Sequence, residues 1–149
     1  DGKKDFNNHL NDGLWTEWYD NGNKKEEGGY NSNDRFGEWT FWYENGNKKE
    51  EGRYWYDDRI DKWTFWYENG NKKEEVEEVT YGDMKENGLT TRWYENGQKK
   101  FEGTYKNDKR DGLFITWYNN GQKEYERTYK NGKLISEKYW NVYGDEGGM

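Results

Sequence analysis

Trp42-Tyr43-Glu44-Asn45-Gly46-Asn47-Lys48-Lys49-Glu50-Glu51 recurs in variant form from one end of the chain to the other. The Trp-Tyr pair begins at Trp18, Trp42, Trp66, Trp93 and Trp117, in steps of 24, 24, 27 and 24 residues, and Asn-Gly follows three positions later each time. A period of this kind marks a repeat array. Asn-Gly between runs rich in Trp, Tyr, Phe and Thr predicts a hairpin, because both residues tolerate the positive φ of a type I′ turn. Each copy therefore reads as one β-hairpin. Tyr30, Tyr54, Tyr105 and Tyr129 each lie 12 residues after the Trp of their copy. Equal half-periods make the joining segments, such as Tyr105-Lys106-Asn107-Asp108-Lys109-Arg110-Asp111-Gly112, turns rather than crossovers.

The predicted fold is all-β: a single-layer antiparallel meander of tandem hairpin repeats of about 24 residues, with about twelve strands pairing only with sequence neighbours. At ~4.8 Å per strand the sheet would be roughly 55 Å long. A helical repeat would also bring Trp39 and Trp42 to one face, but the turn signals are too closely spaced for helix pairs and the residue types favour strands. The domain reading is one array over 1–149: a partial copy 1–12, copies 13–36, 37–60, 61–87, 88–111 and 112–135, and a degenerate cap 136–149. Phe6 fills the Tyr slot of the partial copy, and His9 reads as an exposed turn residue.

Only 29% of the 149 residues are hydrophobic and 37% are charged, which by itself approaches a disordered composition. Aromatic residues make up 20% and reverse that reading. Each buried ring removes roughly 150–250 Å² from water, which suffices for a thin sheet. A net charge of −7 argues against a nucleic-acid partner, whose phosphates need clustered Lys and Arg. Cysteine is absent, which removes disulfides and thiolate chemistry but assigns no compartment. No apolar run reaches the ~18 residues of a membrane helix, and the sequence reads as that of a soluble chain. It begins at Asp1 rather than Met, which predicts an upstream segment.

A two-residue Asn21-Gly22 turn sets Trp18 opposite Lys25, Trp15 opposite Gly28 and Gly13 opposite Tyr30. One face then carries Leu14, Thr16 and Trp18 with Lys25 and Glu27; the other, more buried, carries Trp15, Tyr19 and Tyr30, with glycines leaving room for rings. Arg92 falls opposite Phe101 as a cation–π pair. Three extra residues around Val76-Glu77-Glu78 must be absorbed as a bulge, or every later side chain would change face.

No catalytic set converges: the chain has one histidine, Ser32 and Ser136, and carboxylates repeated in register. The clusters Asn31-Ser32-Asn33-Asp34 and Asp57-Asp58 lack EF-hand spacing. No enzyme activity, metal or cofactor is expected. The candidate binding residues are Trp39, Phe41 and Tyr43 with Trp63, Phe65 and Tyr67, two rows free of interspersed charge. Trp55 and Tyr56 join them, in a turn where other copies hold Asn31-Ser32 or Lys106-Asn107. Two readings stand: the rows are core buried by the curvature of the sheet, or they are an interface for a protein partner or for a second copy in a two-fold dimer.

The pattern Gly-x-Trp-x-x-Trp-Tyr-x-Asn-Gly-Gln/Asn-Lys-Lys-x-Glu-Gly-x-Tyr runs from Gly37 to Tyr54, and again from Gly88 to Tyr105 with Thr90 in place of the first Trp. It resembles MORN repeats, specifically their bacterial variant, over nearly the whole chain. The resemblance implies an antiparallel single-layer sheet, twisted or bent into a trough, and a scaffold role; some bacterial members carry an antitoxin label, which implies protein binding. Phospholipid binding has been proposed for eukaryotic members, and the acidic charge here argues against a membrane-lipid partner. Asp61 in place of the first glycine and the insertion after Gly70 depart from the pattern. The alternative is a choline- or glycan-binding cell-wall module using aromatic cages, whose hairpin repeats are also rich in Trp, Tyr, Gly and Asn.

Overall fold

A computed structural model describes residues 12–79 and 86–147. Phe6, His9 and the partial copy before Asp12 lie outside the described residues. Eleven strands form one open sheet in sequence order, every pair antiparallel. They are β1 (Gly13–Trp18), β2 (Lys24–Asn31), β3 (Asp34–Trp42), β4 (Lys48–Trp55), β5 (Asp58–Trp66), β6 (Lys72–Val79), β7 (Glu86–Trp93), β8 (Lys99–Lys106), β9 (Lys109–Trp117), β10 (Lys123–Lys130) and β11 (Lys133–Tyr139). The described residues contain no helix, so the meander expected from equal half-periods is what forms.

The turn chemistry is the reverse of the sequence expectation. At Tyr19-Asp20-Asn21-Gly22 the Gly22 N–H donates to Tyr19 O at 2.9 Å and only Gly22, at φ 88°, is left-handed. That is a longer loop closed by a one-residue bulge at glycine, not a two-residue type I′ turn. The bulge pairs Trp18 with Lys24, not Lys25, and Lys25 moves to the other face, over the Tyr19 ring at 6.0 Å. The two-residue turns with both centres at positive φ are the joining segments: Ser32-Asn33, Tyr56-Asp57, Asn107-Asp108 and Asn131-Gly132. Further in, Trp15 opposite Gly28 and Gly13 opposite Tyr30 pair as expected.

After each joining turn the odd strand bulges. Between the pairs Gly29–Phe36 and Gly28–Trp39, Gly37 and Glu38 have no partner on β2, although both pair with β4, and Gly37 sits at φ 78°. Gly13, Gly88 and Gly112 share this left-handed conformation, so Gly13 serves backbone geometry and not room for a ring. Asp61 keeps the same conformation at φ 56°. The insertion is absorbed in part as the predicted bulge: Asp61 pairs with Val79 and Trp63 with Val76, leaving one extra residue in β6. Trp140 lies 23 residues after Trp117, one short of the period, and this is absorbed likewise, because β11 bulges by one residue, Ile135, where β3, β5 and β9 bulge by two.

Room for the rings comes from a second set of glycines. A Cβ on Gly28 would fall 2.1 Å from the Trp39 indole, one on Gly52 2.3 Å from Trp63, and one on Gly103 2.3 Å from the Phe114 ring. Each large ring thus lies flat on the backbone of the preceding strand. In β6 the glycine slot holds Val76, and the residue paired with it is Thr90 rather than a large ring. The core follows this row: Trp39, Tyr54, Trp63, Val76, Thr90, Phe114 and Tyr129 are buried. Tyrosines wedge between the indoles edge-on, with Trp15–Tyr30, Tyr30–Trp39, Trp39–Tyr54 and Tyr54–Trp63 centroids at 6.4, 5.2, 6.1 and 5.1 Å.

Candidate functional site

Adjacent copies are tied by side chains that reach forward. Tyr19, Tyr43, Tyr67, Tyr94 and Tyr118 each donate their hydroxyl to the carbonyl of the next copy's Trp, at 2.7–3.1 Å. Asn45 closes its own turn by accepting from Asn47 N–H, and its amide donates to Glu68 O at 2.8 Å. The Asn of Asn-Gly is therefore selected by the neighbouring copy as well as by its own turn. Lys24, Lys48, Lys72, Lys99 and Lys123 lie over Trp42, Trp66, Trp93, Trp117 and Trp140, and each also pairs with a glutamate three residues on. The last Trp-Tyr-type turn, at Trp140-Asn141, receives these bonds but carries Asn141 where the forward-reaching tyrosine stands elsewhere.

Within this frame the candidate residues separate into three environments. Trp39 and Trp63 are buried, 0% and 1% exposed. Beneath them lie Gly28 and Gly52; above them lie guanidinium groups, Arg35 at 4.8 Å from the Trp39 ring and Arg59 at 4.2 Å from the Trp63 ring. Phe41 and Phe65 stack on these indoles at 5.8 and 6.2 Å and are half-buried. Tyr43 and Tyr67 are half-buried at the forward bonds, and burial, then nearby glutamates, raises both phenols above their ordinary pKa. Trp55 and Tyr56 are exposed, 42% and 40%.

The two rows belong to one cluster with Tyr54 between them. They are free of charge in sequence but not in space: β4 sets Glu50 opposite both Phe41 and Phe65, and Arg59 pairs with it at 2.9 Å. Arg35 pairs with Glu26 in the same way at 3.4 Å. Sequence reasoning missed these arginines, although Arg35 and Arg59 recur one period apart. It did find Arg92, which lies 5.3 Å from the Phe101 ring and also pairs with Glu74.

The exposed rings pack on a half-buried third ring that sequence reasoning also missed. Phe36 packs on Trp55 at 4.9 Å and on Tyr56 at 5.5 Å, and Trp55 meets Tyr56 at 5.3 Å. The three rings pack against one another as one apolar knob. Tyr56 holds φ 48°, a left-handed conformation that costs a bulky side chain about 1–2 kcal/mol. The corresponding turns use Ser32, Asn107 and Asn131 there. No group of three or more metal-ligating side chains occurs among the described residues.

A chain of tandem hairpins, each clasping the next by tyrosine, asparagine and lysine, is a β-repeat protein. The family model described as MORN repeat variant matches residues 11–32, 37–56, 62–77, 86–107 and 110–131, more than half of the chain. The chain belongs to that family, whose repeats are generally non-enzymatic scaffold modules. Among curated proteins no match is found.

Proposed function

We propose that this chain is a non-catalytic scaffold that binds a protein partner, and that the contact centres on the Phe36–Trp55–Tyr56 knob. The observation that carries this reading is the pair Trp55 and Tyr56: two large rings left in water, one of them in a backbone conformation that favours Asn or Gly. Strain that a fold does not need is most often kept where it serves a contact. Aromatic side chains of this kind supply most binding hot spots. Trp39 and Trp63 are taken up within the fold, since their rings are already covered by Arg35 and Arg59.

The test grafts the fourth copy's turn residues onto the second. Trp55→Lys with Tyr56→Asn reproduces Lys106-Asn107, which forms the same turn. The variant is expected to melt within a few degrees of the parent, because Asn relieves the left-handed strain while the Phe36 contact is lost. A partner identified by affinity selection should bind the parent and bind the graft at least tenfold more weakly in calorimetry. Undiminished binding to the graft would overturn the reading.

A further inference from the structure

On the aromatic face, at the Asn-Gly end of the strands, the first four copies each hold a lysine over the ring of their forward-reaching tyrosine. Lys25, Lys49, Lys73 and Lys100 lie 6.0, 5.9, 5.8 and 5.4 Å from the rings of Tyr19, Tyr43, Tyr67 and Tyr94. The first copy shows what satisfies this lysine, because Lys25 pairs with Glu17 at 3.0 Å. In the second and third copies the slot of Glu17 holds Phe41 and Phe65, and in the fourth it holds Arg92. Lys49, Lys73 and Lys100 are exposed and pair with no carboxylate among the described residues. The glutamates that follow the first two are committed, Glu50 to Arg59 at 2.9 Å and Glu74 to Arg92 at 2.8 Å.

These three cations stand on β4, β6 and β8, two strand spacings apart, so they form a row with steps of about 9.6 Å. Half-buried rings lie between and beside them, Phe65 on β5 and Phe41 on β3. The row is bounded at both ends: Glu17 neutralises the lysine before it, and Glu124 takes the lysine slot after it. On a chain of net charge −7 this is a positive stripe with an apolar side, and it fits an anionic occupant charged at three points. A polyproline II helix repeats every three residues with a rise of about 3.1 Å, so side chains three apart share one face at roughly 9.3 Å. A β-strand does not match, because its period of two turns every other third residue away.

We infer that this row binds an acidic, proline-rich segment in the polyproline II conformation, lying across the strands with a carboxylate at every third position on Lys49, Lys73 and Lys100. The prolines between the carboxylates rest on Phe41 and Phe65. Aromatic side chains are the usual floor for such segments, whose conformation is set before binding and so loses little entropy. Charge complementarity fixes the register, since a shift by one copy in either direction sets a carboxylate on the Glu17–Lys25 pair or on Glu124. The surface is separate from the Phe36–Trp55–Tyr56 knob: Trp55 follows Tyr54 in β4 and so projects from the opposite face.

The probe is a fluorescently labelled acetyl-(Pro-Pro-Glu)3-amide, titrated with the protein at low salt and followed by polarisation. Saturable binding is expected, at least tenfold weaker at 0.5 M salt and for the (Pro-Pro-Gln)3 peptide. Lys49→Gln with Lys73→Gln and Lys100→Gln should weaken it at least tenfold while melting within a few degrees of the parent. Glu17→Phe copies the slot of the second and third copies and frees Lys25. It should therefore bind the four-repeat peptide several-fold more tightly than the parent does, a gain that misfolding does not produce. The graft of Lys and Asn at 55 and 56 should bind the probe as the parent does, so the row and the knob stand or fall separately. A probe that never saturates, an affinity unmoved by the three glutamines or by Glu17→Phe, or equal binding of an isomer with its three glutamates adjacent would each sink the inference.

Discussion

Thr90 is fully buried and its hydroxyl has no hydrogen-bond partner among the described residues. It stands where other copies hold Trp15, Trp39, Trp63 or Phe114, against Val76 instead of a glycine. A buried hydroxyl without a partner forfeits its hydration and gains nothing in return. Thr90→Val keeps the branched shape, so it is expected to raise stability by about 1 kcal/mol and move the urea midpoint upward with an unchanged slope. A lower midpoint would show that the hydroxyl is satisfied in solution. The motif makes the departure at Thr90 visible, but its cause is not visible there, because Val76 and Thr90 meet only once β6 and β7 are paired.

The hairpin works as a size lock: a glycine on one strand admits a ring from the next. Gly52→Val would drive a branched side chain into the Trp63 indole, whose atoms lie 2.3 Å from where a Cβ would stand, and is expected to cost about 3 kcal/mol. Adding Trp63→Thr recreates the Val76–Thr90 pair, and the double variant should be more stable than the sum of the two single losses by at least about 1 kcal/mol in a double-mutant cycle. Additive losses would mean that the two slots are filled independently. Glycine opposite a ring was legible as a pattern. The strand from which the ring comes was not: Trp15 and Trp39 both pair with Gly28, and only the packing shows that Trp39 covers it.

Across the array, each copy touches only its neighbours, so stability should propagate as a chain of local couplings. The lysine–glutamate rungs contribute a pH dependence. Hydrogen bonds from Lys24, from Lys72 and Lys62, and from Lys123 hold the carboxyls of Glu27, Glu75 and Glu126 below the ordinary 4.5, with burial opposing and, at Glu75, the largest single influence. A carboxyl depressed in the folded state contributes stability above its unfolded pKa and loses it as pH falls through the folded value. The three therefore stabilise the array at pH 7 and cease to do so progressively below about 4.5. Asp34, raised by desolvation and by Asp57, works in the opposite direction and partly offsets them. Urea midpoints are expected to fall steadily from pH 5 to pH 3, and Glu75→Gln should flatten the fall; a midpoint that rises on acidification would contradict the rungs.

Periodicity alone determined the strands, their order and antiparallel sense, the more buried face and the need for a bulge near Val76. It could do so because a side-chain period of two and a copy length near 24 leave one sheet topology in which every ring keeps its face. What only the tertiary structure decided lies between copies. Asn-Gly suits a two-residue turn or a glycine-closed bulge equally, and the neighbouring copy's carbonyl, which accepts the asparagine amide, goes with the second. Arginine reads as surface in any sequence, yet Arg35 and Arg59 lie across the indoles because the preceding strands supply Glu26 and Glu50 to hold them. Phe36 joins Trp55 and Tyr56, nineteen and twenty positions away, because β3 and β5 both flank β4 and bring neighbouring turns side by side.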